Sequence, residues 1–312
     1  MQNKIEEIAS KHLGKAGDGS VVKPYVTPDN VDPNLLVGVP RVLNRTQYGI
    51  DETNLPFTGS DTWNCYEFSA LTNNGFPVCG VIRIVYNSDS TNIVESKSLK
   101  LYLNSFNMAR MGDTVEEVIN NVVNTITEDL KNTLGLVNHY DLEVAFCDED
   151  TTVREPIKHT FFKLEGFLPV TKIKFDHFNE DPNILVVKET DDVYTERWRS
   201  AALRSNCRVT NQPDWGDVYI AVESKKQVTP ESLLQYIVSM RKENHFHEEI
   251  CECIYKRLHD LLEPENLFVA CLYTRRGGID INPARASSDA FFMKHAAHLI
   301  QPDVINVKTL RQ

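Results

Sequence analysis

The sequence predicts an α+β protein of two related domains, each an antiparallel sheet with helices packed on one face. Two observations carry this expectation. β-prone runs are gathered ahead of helical runs rather than alternating with them, and the same order of elements occurs twice along the chain. The length agrees: 312 residues exceed what one hydrophobic core usually organises.

Residues 1–60 are rich in Pro, Gly, Asn and Asp with weak periodicity, and read as an irregular arm of which only the first ten or so look helical. The apolar segment Trp63 to Leu71, the turn Asn73-Asn74-Gly75 and the β-prone run Pro77 to Tyr86 predict a hairpin. Asn92 to Phe106 begins extended, then spaces Leu99, Leu103 and Phe106 as a short helix would. Thr114 with Glu117 is a capping-box signature, and Val115, Val118, Ile119, Val122, Val123, Ile126, Leu130 and Leu134 follow at helical spacing until Gly135. Leu142 to Phe146 returns to strand alternation, which closes a first domain over 61–147. The acidic, mixed stretch 148–196 reads as a linker or insert.

A second domain, 197–312, repeats the order. Pro213 and Gly216 lead into a β-prone run as Pro77 and Gly80 do. Leu233 to Met240 echoes Leu99 to Phe106, an amphipathic helix runs through Ile250, Ile254, Leu258, Leu261 and Leu262, and Leu267 to Tyr273 closes the unit as a strand.

Composition bounds the function. With 41% hydrophobic and 25% charged residues the chain has an ordinary globular balance. A formal charge of −11 argues against a bulk nucleic-acid binder but leaves room for a local basic pocket that takes a phosphorylated small molecule. No apolar leader stands at the N-terminus and no long apolar run occurs, so a cytoplasmic protein without membrane attachment is expected. Seven scattered cysteines without a CxxC pair argue against a disulfide framework and a zinc ribbon.

Four stretches carry chemistry. In Ser205 to Gly216, Cys207 and Asp214 stand seven positions apart, the second in a Pro-Asp-Trp-Gly turn. A thiolate there is a nucleophile with a carboxyl as proton partner, or else Cys207 is a small core residue. Glu95-Ser96-Lys97-Ser98-Leu99-Lys100 sets two lysines three apart near a helix start, a phosphate site or a solvated edge. His245 to Cys253 holds many ligand atoms, but His245 and His247 would face different sides of a helix, which leaves a capped helix start or a substrate-binding His–Glu pair beside the zinc reading. Arg275-Arg276-Gly277-Gly278 lets guanidinium and bare backbone approach a phosphate together, or is a basic turn. There is no GxGxxG and no GxxxxGK[ST].

Together these stretches, with Gly38-Val39-Pro40-Arg41 and Asn54-Leu55-Pro56-Phe57, resemble the NADPH-dependent 7-cyano-7-deazaguanine reductases of queuosine biosynthesis in their long, two-domain form. The resemblance implies tandem tunnelling-fold (T-fold) domains, a homodimer or larger homo-oligomer, no direct nucleic-acid partner, no metal, and NADPH as cofactor. It implies that Cys207 attacks the nitrile carbon to form a thioimide, that Asp214 supplies a proton, and that His247 assists. Val94, Glu95, Ser96, His247 and Glu248 would contact the deazapurine; Ser96, Lys97, Lys100, Arg276 and Gly277 would hold the cofactor. A sister branch of the fold, which forms an amidine from the same nitrile in tRNA, is the alternative. It lacks the Glu-Ser-Lys-Ser-x-Lys motif, and the negative charge disfavours a tRNA substrate.

Overall fold

The structure, a computed structural model, describes residues 28–136, 141–147, 160–208, 213–297 and 299–300. The helix expected in the first ten residues lies outside them. The described residues form two compact units that are not contiguous in sequence: 44–61 belongs with the second unit and Arg276–Asp280 with the first.

The first unit contains β1 (Gly38–Pro40), most of β2 (Thr58–Thr72), β3 (Pro77–Asn87), β4 (Asn92–Val94), α1 (Ser96–Asn104), β5 (Arg110–Gly112), α2 (Val115–Leu134) and β6 (Leu142–Cys147). The hairpin expected between β2 and β3 forms, with Gly75 at φ +92° in the connection, a region open to glycine at little cost. β3 pairs antiparallel with β6 from Val81↔Cys147 to Tyr86↔Leu142. α2 turns Val118, Val122, Ile126, Leu130 and Leu134 inward, the stripe its spacing predicts. Thr114 Oγ1 caps its first turn by accepting from Glu117 N at 3.1 Å, and Gly135, left-handed at φ +68°, ends it. The Glu117 carboxylate accepts from Asp113 N at 2.8 Å, one residue ahead of the cap. Tyr102 ties α1 to α2 by donating to Asp129 Oδ2 at 2.6 Å.

The second unit repeats the strand-strand-helix-helix-strand order with β8 (Val187–Ser200), β10 (Pro213–Val228), α3 (Pro230–Ser239), α4 (His247–Leu262) and β12 (Asn266–Tyr273). Short strands β7 (Phe162–Lys163), β9 (Arg204–Cys207) and β11 (Asn244–His245) are added, and most of β13 (Ile279–Ala286) and α5 (Asp289–Ala296) follow. β10 lies between β8 and β12, antiparallel to both. Its alternation decides which side chain faces which layer: Val218, Ile220 and Val222 join Leu233, Ile237, Ile250, Ile254 and Leu258 of α3 and α4 in one core, while Tyr219 and Ala221 join Phe268, Ala270, Ala284 and Phe291 beneath α5. The α+β expectation of antiparallel sheet backed by helices therefore holds in each unit. One part differs. The stretch 148–196 reads as a linker from its charges, yet Val187–Ser200 is a long strand paired with β10. Glu189, Asp191 and Asp192 stand on exposed positions of that strand, so the charge pattern reports solvent rather than irregular chain.

Charge is also buried in this unit. Glu252 of α4 accepts from Arg45 Nη2 at 2.8 Å and Nε at 3.0 Å, and from Arg285 Nη2 at 2.9 Å. Arg285 Nη1 reaches Asp61 Oδ1 at 2.8 Å, and the two guanidinium carbons lie 5.4 and 5.6 Å from the centre of the Phe57 ring. Removing one partner from such a group strands the others in low dielectric. Glu252→Gln is therefore expected to lower the unfolding free energy by about 3 kcal/mol in urea titrations, whereas a change under about 1 kcal/mol would show that the network is not held dry.

Candidate active site in two clusters

The first cluster lies in the second unit and is built by strand pairing. β9 runs antiparallel to the start of β10 with Pro213↔Asn206, Asp214↔Ser205 and Trp215↔Arg204 as partners. The Pro-Asp-Trp-Gly segment is therefore the first part of a strand, not the turn its composition suggests. Proline is tolerated there because it is the strand's first residue. Since side chains alternate, Cys207 lies on the same face as Ser205 and hence as Asp214. The pairing thus brings the two expected residues to one face. On the other face, Arg204 and Arg241 flank the Trp215 ring at 5.7 and 5.2 Å. Cys207 is half-buried and carries a free thiol, whereas Asp214 is buried.

The helix start supplies the next groups. His247 opens α4, its Nε2 3.4 Å from Asp214 Oδ2 and its ring stacked on Tyr273 with centroids 3.9 Å apart and planes 10° from parallel. Tyr273 is paired with Gly216, and the glycine explains how the ring fits: a Cβ there would come to 3.1 Å from both Tyr273 Cδ1 and the Leu272 carbonyl. Burial pushes the Tyr273 hydroxyl well above its ordinary value, with Cys271 and the Asp214 carboxylate adding to the shift, so it remains protonated. His247 Nδ1 has no hydrogen-bond partner among the described residues. Glu248, next on the helix, is buried in its first turn, where the helix dipole favours a carboxylate.

His245 goes elsewhere. It pairs with Cys207 across the parallel β9–β11 contact, and its Nε2 meets Tyr48 Oη at 3.0 Å and Glu243 at 3.3 Å while Nδ1 meets Glu249 at 3.2 Å. The two histidines thus serve different partners, and among the described residues no three His, Cys, Asp or Glu side chains gather as a metal site.

The second cluster lies in the first unit. Val94 ends β4, buried and paired with Gly38, and delivers the chain to Glu95. Glu95 caps α1: Oε1 accepts from Lys97 N at 3.0 Å and Oε2 from Ser98 N at 2.8 Å. Burial raises its pKa, against the pull of those two backbone donors. Oε1 also accepts from Ser96 Oγ at 3.4 Å, while Oε2 keeps a second lone pair for a ligand's N–H group. Ser96, Lys97 and Lys100 follow on α1. The turn carrying Arg276 and Gly277, closed by Arg276 N donating to Ile279 O at 2.8 Å, lies against them. Gly277 (φ +56°) and Gly278 (φ +78°) are left-handed, and a Cβ on Gly277 would sit 2.9 Å from Lys100 Nζ. Lys100 Nζ also lies 3.5 Å from Glu67 Oε2. The fold so joins Lys100 and Gly277 despite their distance in sequence. Lys97, Lys100 and Arg276 offer cations suited to phosphate groups, with the Glu67 side chain filling the space over Gly278.

Sequence reasoning missed Tyr273, Glu67 and the carboxylates around His245. Only Gly216, a glycine within a β-prone run, hinted at a close approach by a neighbouring group.

Residues 27–139 match the family described as nitrile reductase, 7-cyano-7-deazaguanine-reductase N-term, and residues 213–290 match the family described as QueF-like protein. Together the two matches take in more than half of the chain, and Cys207 falls just ahead of the second. Among solved structures, the archaeosine synthase QueF-Like in its apo form is similar at 15% identity over 31% of this chain and 95% of that one, with a TM-score of 0.27.

The His245 group sets a pH dependence. Burial opposes its protonation, but Glu243 and Glu249 outweigh that and raise its pKa above the ordinary 6.5. Glu243, bonded to His245, is held down at about 2. Between 6.5 and the raised folded value the native state holds a proton that the unfolded chain releases, so this contribution is complete below 6.5 and lost as pH rises through the folded value. The Glu243 contribution is complete above 4.5 and lost as pH falls through about 2. The urea midpoint is expected to fall between pH 6 and pH 9 more steeply in the wild type than in His245→Gln; parallel slopes would show that His245 is not charged in the fold.

Proposed function

The chain belongs to the 7-cyano-7-deazaguanine reductase family in its two-domain form, and we propose that it reduces the nitrile of 7-cyano-7-deazaguanine to the aminomethyl group, with NADPH as reductant, through a thioimide on Cys207. The observation that supports this reading best is the placement of Cys207 and Asp214 on one face of the β9–β10 ribbon, with His247 against Asp214.

A nitrile accepts hydride poorly, and covalent capture answers that difficulty. The Cys207 thiolate adds to the nitrile carbon, one C–N π bond becomes a lone pair on nitrogen, and a proton on that nitrogen completes a C=N unit bonded to sulfur. Asp214 hands over that proton, and His247, 3.4 Å from it, replenishes it. The stacked Tyr273 ring and the bare Gly216 backbone keep the imidazole from turning away. Glu248 suits the guanine-like edge, whose N–H groups donate to carboxylates, and the family resemblance gives Glu95 a base contact as well.

NADPH, when bound, would supply the hydride, two equivalents answering the four-electron change from nitrile to amine. Ser96, Lys97, Lys100, Arg276 and Gly277 are the residues that would hold it. The cations of Lys97, Lys100 and Arg276 suit phosphate groups, including the extra phosphate that separates NADPH from NADH. The same cluster favours reduction over amidine formation, which needs no hydride.

With 7-cyano-7-deazaguanine, two NADPH are expected to be oxidised per base converted, and Cys207→Ala should lower kcat by at least about 10⁴-fold, with Asp214→Asn losing about 10²- to 10³-fold. Turnover by Cys207→Ala at more than a tenth of the wild-type rate would refute the covalent route, and base conversion without NADPH oxidation would move the assignment to the amidine-forming branch.

A further inference from the structure

Behind the nucleophile lies a buried carboxylate that neither the proton path nor the base contacts use. Glu249 is the third residue of α4, and its side chain is 7% exposed. Its Oε1 accepts from Arg208 Nη1 at 3.2 Å. Its Oε2 accepts from Phe246 N at 2.9 Å and meets His245 Nδ1 at 3.2 Å. Arg208 directly follows Cys207, and Phe246 directly precedes His247.

We infer that Glu249 is a positioning residue for the reaction proposed above: by joining the residue after Cys207 to the residue before His247, it sets where the nucleophile stands relative to the acid–base pair. The inference stands on that proposed reaction for its meaning, but its structural content is independent of it.

Three features support a positioning role over a merely structural one. A helix cap at Phe246 needs only an acceptor, which a glutamine oxygen would provide, so the negative charge has another use. Apolar side chains of similar size would fill the space with less desolvation cost, so a buried ion pair here is an expensive way to gain stability. The charge is also shared: Arg208 Nε donates to Asn244 O at 3.3 Å, and Asn206 N donates to Glu243 O at 2.8 Å, so β9 and β11 are tied on both sides of Cys207. The groups facing this centre are Arg208 from the end of β9, Glu243 and His245 at β11, Glu249 from α4 and Tyr48 from the segment before β2. Without the Glu249 charge, Arg208 is left as an unpaired buried cation next to Cys207, and His245 keeps only one carboxylate.

The test compares wild type, Glu249→Gln, Glu249→Asp and the double variant Arg208→Gln/Glu249→Gln. Each is first checked for fold by circular dichroism. Two rates are then measured: covalent adduct formation with 7-cyano-7-deazaguanine, and alkylation of Cys207 by iodoacetamide across pH, mapped on peptides with the exposed Cys79 as internal reference. Glu249→Gln is expected to slow adduct formation at least about tenfold while its affinity for 7-deazaguanine, which lacks the nitrile, stays within about threefold. The alkylation profile of Cys207 should shift while that of Cys79 does not. The double variant should be no slower than Glu249→Gln alone, since the stranded cation is gone, and Glu249→Asp should recover part of the rate. A folded Glu249→Gln with both rates within twofold of wild type would overturn the inference, as would Glu249→Asp if Glu249→Gln does not fold and the shorter acid changes neither rate. If the wild type forms no adduct, the proposed reaction fails, and the alkylation profiles alone decide the role of Glu249.

Discussion

The pairing of β9 with β10 is the constraint on which the proposed catalytic cluster depends. Ser205 stands opposite Asp214, and a slip of one residue would send Asp214 to the face of Trp215 and away from His247. The register is held from several directions. Trp215 lies between two guanidinium groups, Gly216 accepts the Tyr273 ring against its backbone, and β11 adds a parallel contact at Cys207. The position of the Cys207 thiol is thus a property of sheet geometry.

Helix α4 gathers the consequences. Its first turns carry His247, Glu248 and Glu249, and one turn further Glu252 neutralises Arg45 and Arg285 in the core. Charges taken out of water on one helix are costly unless partnered, and Asp214, Arg208, Arg45 and Arg285 come to His247, Glu249 and Glu252 from segments distant in sequence. Such a helix has little freedom to shift, because any rotation would unpair buried ions. The rigidity suits the proposed reaction, in which a thiol and an imidazole must meet the same small carbon–nitrogen unit.

Much of the architecture was legible in the chain. Period and capping identified α2, a glycine-bearing turn identified the hairpin, and the repeated order gave the doubled unit. Cys207, Asp214, His247 and the lysine motif stood out by residue type and spacing. What escaped depends on partners across the sheet. Asp214 looked like a turn residue because proline and glycine flank it, but its neighbour strand decides the conformation. Val187–Ser200 looked like a linker because its charges face solvent. The Glu249 and His245 charges looked like an ordinary solvated helix start, since nothing local reveals that Arg208 and Tyr48 fold over them.

The measurement that tests the account most directly is intact mass of the wild-type protein mixed with 7-cyano-7-deazaguanine in the absence of any reductant, followed by peptide mapping. The account predicts a gain of one base per chain, located on the peptide that contains Cys207 and lost when NADPH is added. An unchanged mass, or a gain carried by another cysteine, would contradict it.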